Sequence, residues 1–386
     1  MKKFFTIEIS DKRIYGLDIL RALAILFVVV GHGKYLLPSK LHFLHNAFVF
    51  NGVSIFFVLS GFLIGGILIK LLDKNQPTKE LLVDFWIRRW FRTLPNYFLV
   101  LVILLAFSFI YDTGVTIWSV KRYFIFAQNL FYKHPHFFPE AWSLSIEEWF
   151  YLITPVCVFS LIYFLKMSNK RAILMTAVSF LILILLFRYF KYIHIEISSI
   201  SEWDRLFRKQ VITRLDSLMY GVICAYIQYY SKANWLKHKK ALLILGILIF
   251  ISTKVLFLYE IISYNGFYKC VLSFTVSSIA TALLLPYLSD LKKGTGSVHS
   301  AITVISLISY SMYLLNLSVV QLNIINKIAW SDLIDNGYIM IILKYGTYWA
   351  LIIIGSILIY KYYEIPMTRL RDNKKVKKTI ANILYK

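Results

Sequence analysis

The chain has 386 residues, 59% hydrophobic and 16% charged, with a mean hydropathy of +0.65. A soluble domain is about a quarter charged, so this composition excludes a soluble globular enzyme, a secreted disulfide scaffold and a disordered tail protein. A net charge of +23 would suggest nucleic acid for a soluble protein. Here apolar runs long enough to cross a bilayer core of about 30 Å recur along the whole chain, and no nucleic-acid partner is expected.

The runs predict ten spans at about 15–32, 46–69, 94–111, 141–165, 172–187, 212–230, 241–258, 268–288, 301–325 and 341–360, the shortest signal being 172–187. The expected fold is all-α, a polytopic integral membrane bundle of about ten helices. Met1–Gly16 does not read as a signal peptide, because Glu8, Asp11, Lys12 and Arg13 follow Lys2 and Lys3 and no small-residue cleavage site comes after the first run. Ten spans place both termini on one side. The segments on that side hold 27 Lys and Arg and the opposite segments 11. The positive-inside rule then makes both termini cytoplasmic, in a bacterial inner or plasma membrane. The expected organisation is a cytoplasmic segment 1–14, a transmembrane domain 15–365 and a basic cytoplasmic tail 366–386. The run Arg369–Lys378 reads as an orientation signal in contact with anionic lipid. Cys157, Cys224 and Cys270 lie inside apolar runs, without metal-type spacing, and read as packing residues. The long outer segments 112–140 and 188–211 carry Tyr123, Phe124, Phe126, Phe137, Phe138 and Trp203, which suits structure lying on or dipping into the bundle.

Ionisable residues inside spans are expensive and mark candidate sites. In the first span, Arg21 and His32 are eleven residues apart, three turns plus about 20°, so they share a face about 16 Å apart along the axis. Asp18 stands three residues before Arg21 and can pair with it, as chemistry or as a packing clasp. His32 lies between Gly31 and Gly33, which would strip steric cover from its ring. In the second span, Gly61, Gly65 and Gly66 allow close helix approach. At the mouth of the third, Arg88, Arg89 and Arg92 precede Pro95, placed where a helix would begin. Guanidinium forks suit phosphate, so these arginines are a candidate clamp for a phosphorylated cytosolic ligand, or an orientation signal alone.

The fourth span opens with Trp142, Ser143, Leu144, Ser145, Ile146, Glu147 and Glu148. Ser143, Glu147 and Tyr151 share a face at i, i+4 spacing. Ser145 and Glu148 have capping-box spacing, which leaves Glu147 free to orient the imidazole of His32 as a general base. Arg214 and Asp216 open the sixth span, where they either pair internally or line an outer vestibule. The ninth holds Ser309, Tyr310, Ser311, Tyr313 and Asn316, whose polar groups imply interhelical hydrogen bonds or a polar cavity.

Taken in order, these segments resemble membrane acyltransferase family 3, bacterial enzymes that acylate surface carbohydrates. The resemblance runs from Asp18 to Pro366. It rests on Arg21 and His32 with ten residues between, Phe56-Phe57-Val58-Leu59-Ser60-Gly61-Phe62, Arg88-Arg89-x-x-Arg92 with Pro95, and Trp142-Ser143-Leu144 with Glu147-Glu148. Arg214-x-Asp216, Ser309-Tyr310-Ser311 with Tyr313, and Glu364-x-Pro366 add to it. The resemblance implies about ten helices, an acyl-CoA donor (acetyl-CoA in the first place) on the cytoplasmic side, and a carbohydrate hydroxyl as acceptor. It maps the proposed catalytic histidine onto His32 and the signature arginine onto Arg21. Asn316 departs from the family, many members having a histidine there; an amide still hydrogen-bonds but does not titrate near neutral pH. No metal is expected. Some members carry a fused extracytoplasmic esterase-like domain. The resemblance here is to members without one, so the acceptor is acylated directly at the membrane or by a separate partner protein. The reaction expected is acyl transfer with Arg88, Arg89 and Arg92 on the CoA phosphates and His32 as base or transient acyl carrier. A transporter or flippase for a glycan or lipid intermediate, and a structural partner of a polysaccharide synthase, are the alternatives from other classes.

Overall fold

A computed structural model describes residues 13–373 together with Ile7 and Ser10; Lys2, Lys3, Glu8, Asp11, Lys12 and residues 374–378 of the basic run lie outside the described residues. Among the described residues there is no β-strand, and ten long helices follow one another. They are α1 (Tyr15–Gly33), α2 (Gly52–Lys74), α3 (Lys79–Ile110), α4 (Ala141–Leu165), α5 (Asn169–His194), α6 (Asp216–Tyr230), α7 (Lys239–Leu258), α8 (Ser273–Asp290), α9 (Gly296–Leu315) and α10 (Gly337–Ile359). A short helix, α11 (Ile365–Leu370), closes the described chain. Each long helix corresponds to one predicted span. Among the described residues, nine helical segments are long and apolar enough to cross a membrane, and they include every long helix except α6. The 172–187 signal belongs to a full helix of 26 residues.

Side chains mark several helix starts. Asn51 accepts from the Ser54 amide at 3.2 Å, Thr78 from Leu81 at 3.2 Å and Ser168 from Arg171 at 3.4 Å. The cap at Thr78 corrects the third span. α3 starts some four turns before Pro95 and runs straight through it, so the arginines are helical and the proline is interior. Proline there removes one hydrogen bond of the ladder. Beside the proline, Tyr310 and Tyr363 donate to the carbonyls of Thr93 (2.7 Å) and Pro95 (3.4 Å).

α6 has 15 residues, about 22 Å of rise, short of a bilayer core. It is backed by protein instead, packing most closely on α2. A Cβ on Gly61 would lie 1.8 Å from the Leu218 carbonyl oxygen, and one on Gly221 would lie 2.0 Å from that of Val58. The two backbones touch, as small-residue crossings permit. Gly65 meets Val222 in the same seam, whereas Gly66 faces open space and is no part of it. Gly61→Ala is therefore expected to destabilise the bundle by about 1–3 kcal/mol and to lower the midpoint of thermal unfolding in detergent, with Gly66→Ala unchanged beside it. Equal midpoints for the two variants would contradict the contact.

The cysteines are free, Cys224 and Cys270 buried and Cys157 partly so. The segment 112–140 folds onto the bundle: Tyr123, Phe126 and Phe138 are buried, whereas Phe124 is exposed. Trp203 is buried in a satellite cluster, stacked on Phe274 at 5.7 Å.

Candidate active site

Two cavities meet inside the bundle. The narrower, about 130 Å³, runs between α1, α2, α3, α4 and α9, with Arg21, Arg89 and Arg92 towards one end and Ser143 and Tyr313 towards the other. Along α4 its lining extends from Ser143 to Tyr151, about 12 Å of helix rise. The wider, about 370 Å³, opens beyond Arg21, Arg89 and Arg92, which line both. The end carrying the wide cavity is called the arginine end below, and the opposite one the histidine end.

At the arginine end, Asp18 is buried. Its tightest partner is Arg13, with Nε at 2.9 Å; Ser306 donates to it at 2.7 Å, and Arg21 stands 3.8 Å away. The expected Asp18–Arg21 pair is present but loose, and the clasp it belongs to ties α1 to α9. Arg88 borders the wide cavity but is paired there with Asp84 at 2.7 Å, both side chains about half exposed. Arg89 and Arg92 turn inward.

Midway, Glu147 accepts from Tyr151 at 2.9 Å and from Ser60 on α2 at 3.3 Å. Ser143 bonds Tyr313 at 2.7 Å, and the Tyr313 hydroxyl donates to the Glu140 carbonyl at 3.0 Å. The shared face of Ser143, Glu147 and Tyr151 is thus the cavity wall, and Tyr310 lines it too. The capping box is not formed. α4 begins at Ala141, so Ser145 sits inside the first turns, where it donates to the Ala141 carbonyl at 3.2 Å and accepts from Gln128 at 2.5 Å. Glu148 accepts instead from Thr93 on α3 at 2.7 Å.

His32 lies at the far end of α1, half-buried, and does not border the narrow cavity. Glu147 does not orient it: that carboxylate is held by Ser60 and Tyr151. Its partner is Asn316, with Nδ1 2.5 Å from Oδ1. The Asn316 amide nitrogen donates to the carbonyls of Met312 at 2.9 Å and Tyr313 at 2.7 Å. Both amide hydrogens are thereby committed, so Oδ1 is the acceptor and His32 Nδ1 the donor. The imidazole is held as the Nδ1–H tautomer, with the lone pair on Nε2. Gly33 does not bare the ring as expected: its missing Cβ makes room for Tyr345 and Tyr348, 3.1 Å from where it would stand.

The wall around this end comes from the loop segments. Asn129 donates to the Trp142 carbonyl at 3.0 Å and to Lys209 at 2.6 Å. Trp142 packs edge-on against Phe57 at 5.9 Å, under the guanidinium of Arg208 at 5.1 Å. Burial acts against it, yet Arg208 and Lys209 hold the nearby Asp204 carboxyl down to about 2. Glu140, just before α4, is buried, which pushes its carboxyl up to about 7 against hydrogen bonds from the Ser318 amide (3.0 Å) and hydroxyl (2.5 Å). Arg214 and Asp216 neither pair with each other nor line a vestibule. Asp216 is ion-paired with Arg188 of α5 at 2.7 Å, both fully buried, and Arg214 bonds Ser54 at 3.1 Å while lying 4.2 Å over Phe274. They anchor α6 rather than face a ligand.

Ser60, Thr93, Arg13 and Glu140 escape sequence reading, since each is an ordinary polar residue until its partner from another helix is known.

No solved structure matches this chain. Among curated proteins, 183 residues are 33% identical to the peptidoglycan O-acetyltransferase OatA of Listeria monocytogenes, covering 44% of this chain and 28% of that protein. The putative O-acetyltransferase SACOL0978 of Staphylococcus aureus is 30% identical over 240 residues, 58% of this chain and 36% of its own length. The alignments thus span about a third of these relatives. The sequence model of acyltransferase family 3, described as an acyltransferase domain, matches residues 14–361. With its succession of long apolar helices and a family match over nearly its whole length, the chain belongs to acyltransferase family 3 and is a multi-pass membrane protein.

Proposed function

We propose that this protein moves an acyl group, acetyl in the first place, from acyl-CoA bound at the arginine end to a hydroxyl of a cell-surface or lipid-linked carbohydrate at the histidine end. The arginine end is cytoplasmic in this reading, as are both termini, because the Lys- and Arg-rich segments lie there. The single observation that carries it is the Asn316 amide, which fixes the His32 tautomer with a basic nitrogen free of any hydrogen bond among the described residues. The names of the relatives, O-acetyltransferases, support acetyl as the group and oxygen as the acceptor.

In this mechanism Arg21, Arg89 and Arg92 hold the donor's phosphates, and the pantetheine arm occupies the smaller cavity, where the protein walls would shield the thioester from water. His32 Nε2 takes the proton of the acceptor hydroxyl as its oxygen attacks the thioester carbonyl. The carbon–sulfur bond breaks, an ester forms, and the proton passes to the CoA thiolate. Asn316 stabilises the imidazolium through Nδ1–H. The Ser143–Tyr313 pair lines the far end of the cavity, and the Tyr313 carbonyl accepts from Asn316, which connects that end to the His32 pair. A partner glycan-assembly protein would meet this one at the histidine end in this reading.

The test is chemical. In proteoliposomes supplied with acetyl-CoA and a carbohydrate acceptor, CoA thiol is released in proportion to acetyl ester formed. Passage of intact glycan without thiol release would replace this reading by that of a flippase.

A further inference from the structure

Resting on the acyl-CoA reading, we infer that the C-terminal turn carrying Arg369 and Arg371 belongs to the donor site and recognises the 3′-phosphate of CoA. Both residues lie beyond the stretch matched by the family, which stops at residue 361. From sequence they are two more charges in a basic tail. In the structure α11 continues the helical segment that begins at Gly337 and packs on α3, and Arg369 and Arg371 line the wide cavity together with the arginines of α1 and α3.

The charge at this cavity is unbalanced. Seven arginines border it and two carboxylates, Glu364 and Asp372. Glu364 accepts from Asn96 at 2.7 Å and from Ser311 at 3.0 Å, and Asp372 is paired with Arg371 at 2.9 Å. Arg13 and Arg21 share Asp18, and Arg88 has Asp84. Arg89, Arg92 and Arg369 have no carboxylate partner among the described residues, and the Nε of Arg89 is buried without any hydrogen-bond acceptor. A buried donor left unmatched is costly, and an anion at this place relieves it.

The order of groups along CoA assigns the arginines. The pantetheine arm enters the narrow cavity, so the diphosphate to which it is attached lies at the junction, against Arg21, Arg89 and Arg92. The ribose lies on the other side of the diphosphate, farther from the narrow cavity. Its 3′-phosphate, a monoester carrying about −1.5 to −2 at neutral pH, falls where α11 and the turn after it approach. Guanidinium forks match its oxygens. Arg369 is exposed at that rim and Arg371 partly so; a charge required only for orientation has no need to border a cavity.

The experiment measures binding of CoA and of 3′-dephospho-CoA to the full-length protein in nanodiscs of neutral lipid. The variants are Arg369→Gln with Arg371→Gln, and Arg369→Gln alone, an exposed change that leaves folding intact. Wild type is expected to prefer CoA by about tenfold or more. The double variant is expected to bind CoA only as well as dephospho-CoA, with dephospho-CoA unaffected, and the single variant to lose part of the preference. A variant that keeps the wild-type preference, or weakens both ligands equally, overturns the assignment. So does wild type that binds both ligands equally, and in that case the acyl-CoA reading survives. Wild type that binds neither sinks both. A phosphate site meant for lipid headgroups gives its own result: the substitutions reduce retention on anionic vesicles and leave the ratio of the two nucleotides as in wild type, which also overturns the inference.

Discussion

His32→Ala is expected to cut acyl transfer by about 10²- to 10⁴-fold, with the protein still eluting as a folded species in detergent. The ring is half-buried and its only hydrogen bond among the described residues is to Asn316, so its removal takes little packing with it. The companion substitutions separate chemistry from structure. Asn316→Leu withdraws the acceptor from Nδ1 and frees the wrong tautomer; kcat falls while KM for acetyl-CoA stays. Asn316→Asp keeps an acceptor for Nδ1 but turns its second oxygen against the Met312 and Tyr313 carbonyls, and is expected to recover only part of the rate. Thiol release from acetyl-CoA in the presence of acceptor reads all three. Wild-type turnover by a folded His32→Ala protein would remove the imidazole from the reaction.

Arg89→Gln combined with Arg92→Gln is expected to raise KM for acetyl-CoA by at least about 100-fold, since each charge-assisted contact to phosphate contributes about 1.5–3 kcal/mol. These two side chains, with Arg21, are where the cavities join, so a donor arm cannot reach the narrow one without passing them. Lysine at either position is expected to recover only part of the affinity, because an ammonium lacks the planar fork. Arg88→Gln is the contrast: half exposed and already paired with Asp84, it is expected to change KM by less than about threefold. Titration of initial rate against acetyl-CoA gives the comparison, and equal KM values for Arg88→Gln and the double variant would argue against a phosphate clamp on the inward face.

The spans were legible because an apolar run has one solution in lipid, and it is helical. Helical phase likewise put Ser143, Glu147 and Tyr151 on a single wall. What the sequence could not reveal is who answers each of them from another helix. Glu147 meets Ser60 rather than His32, and Glu148 meets Thr93 rather than Ser145. Spacing rules reach only within a helix, and these partners are 87 and 55 residues away. Asn316 was visible as a polar residue in an apolar run, but its hold on His32 crosses 284 residues. Pro95 misled in a different way. Proline is a good first residue of a helix, and nothing local distinguishes that use from a position inside one. Arg214 lies in the turn before α6 and bonds Ser54 of α2, while the counter-ion of Asp216, Arg188, belongs to α5.

In the proposed reaction, the wide cavity grips the donor by its nucleotide, the half of the molecule that turnover leaves unaltered. Free CoA presents the same phosphates once the acetyl has gone, and binding that does not distinguish reactant from product gives no preference between them. The spent carrier should therefore compete with its acetylated form on nearly equal terms. Output would then track the proportion of the pool that is charged rather than its total size, tying decoration of the cell exterior to the state of carbon metabolism within.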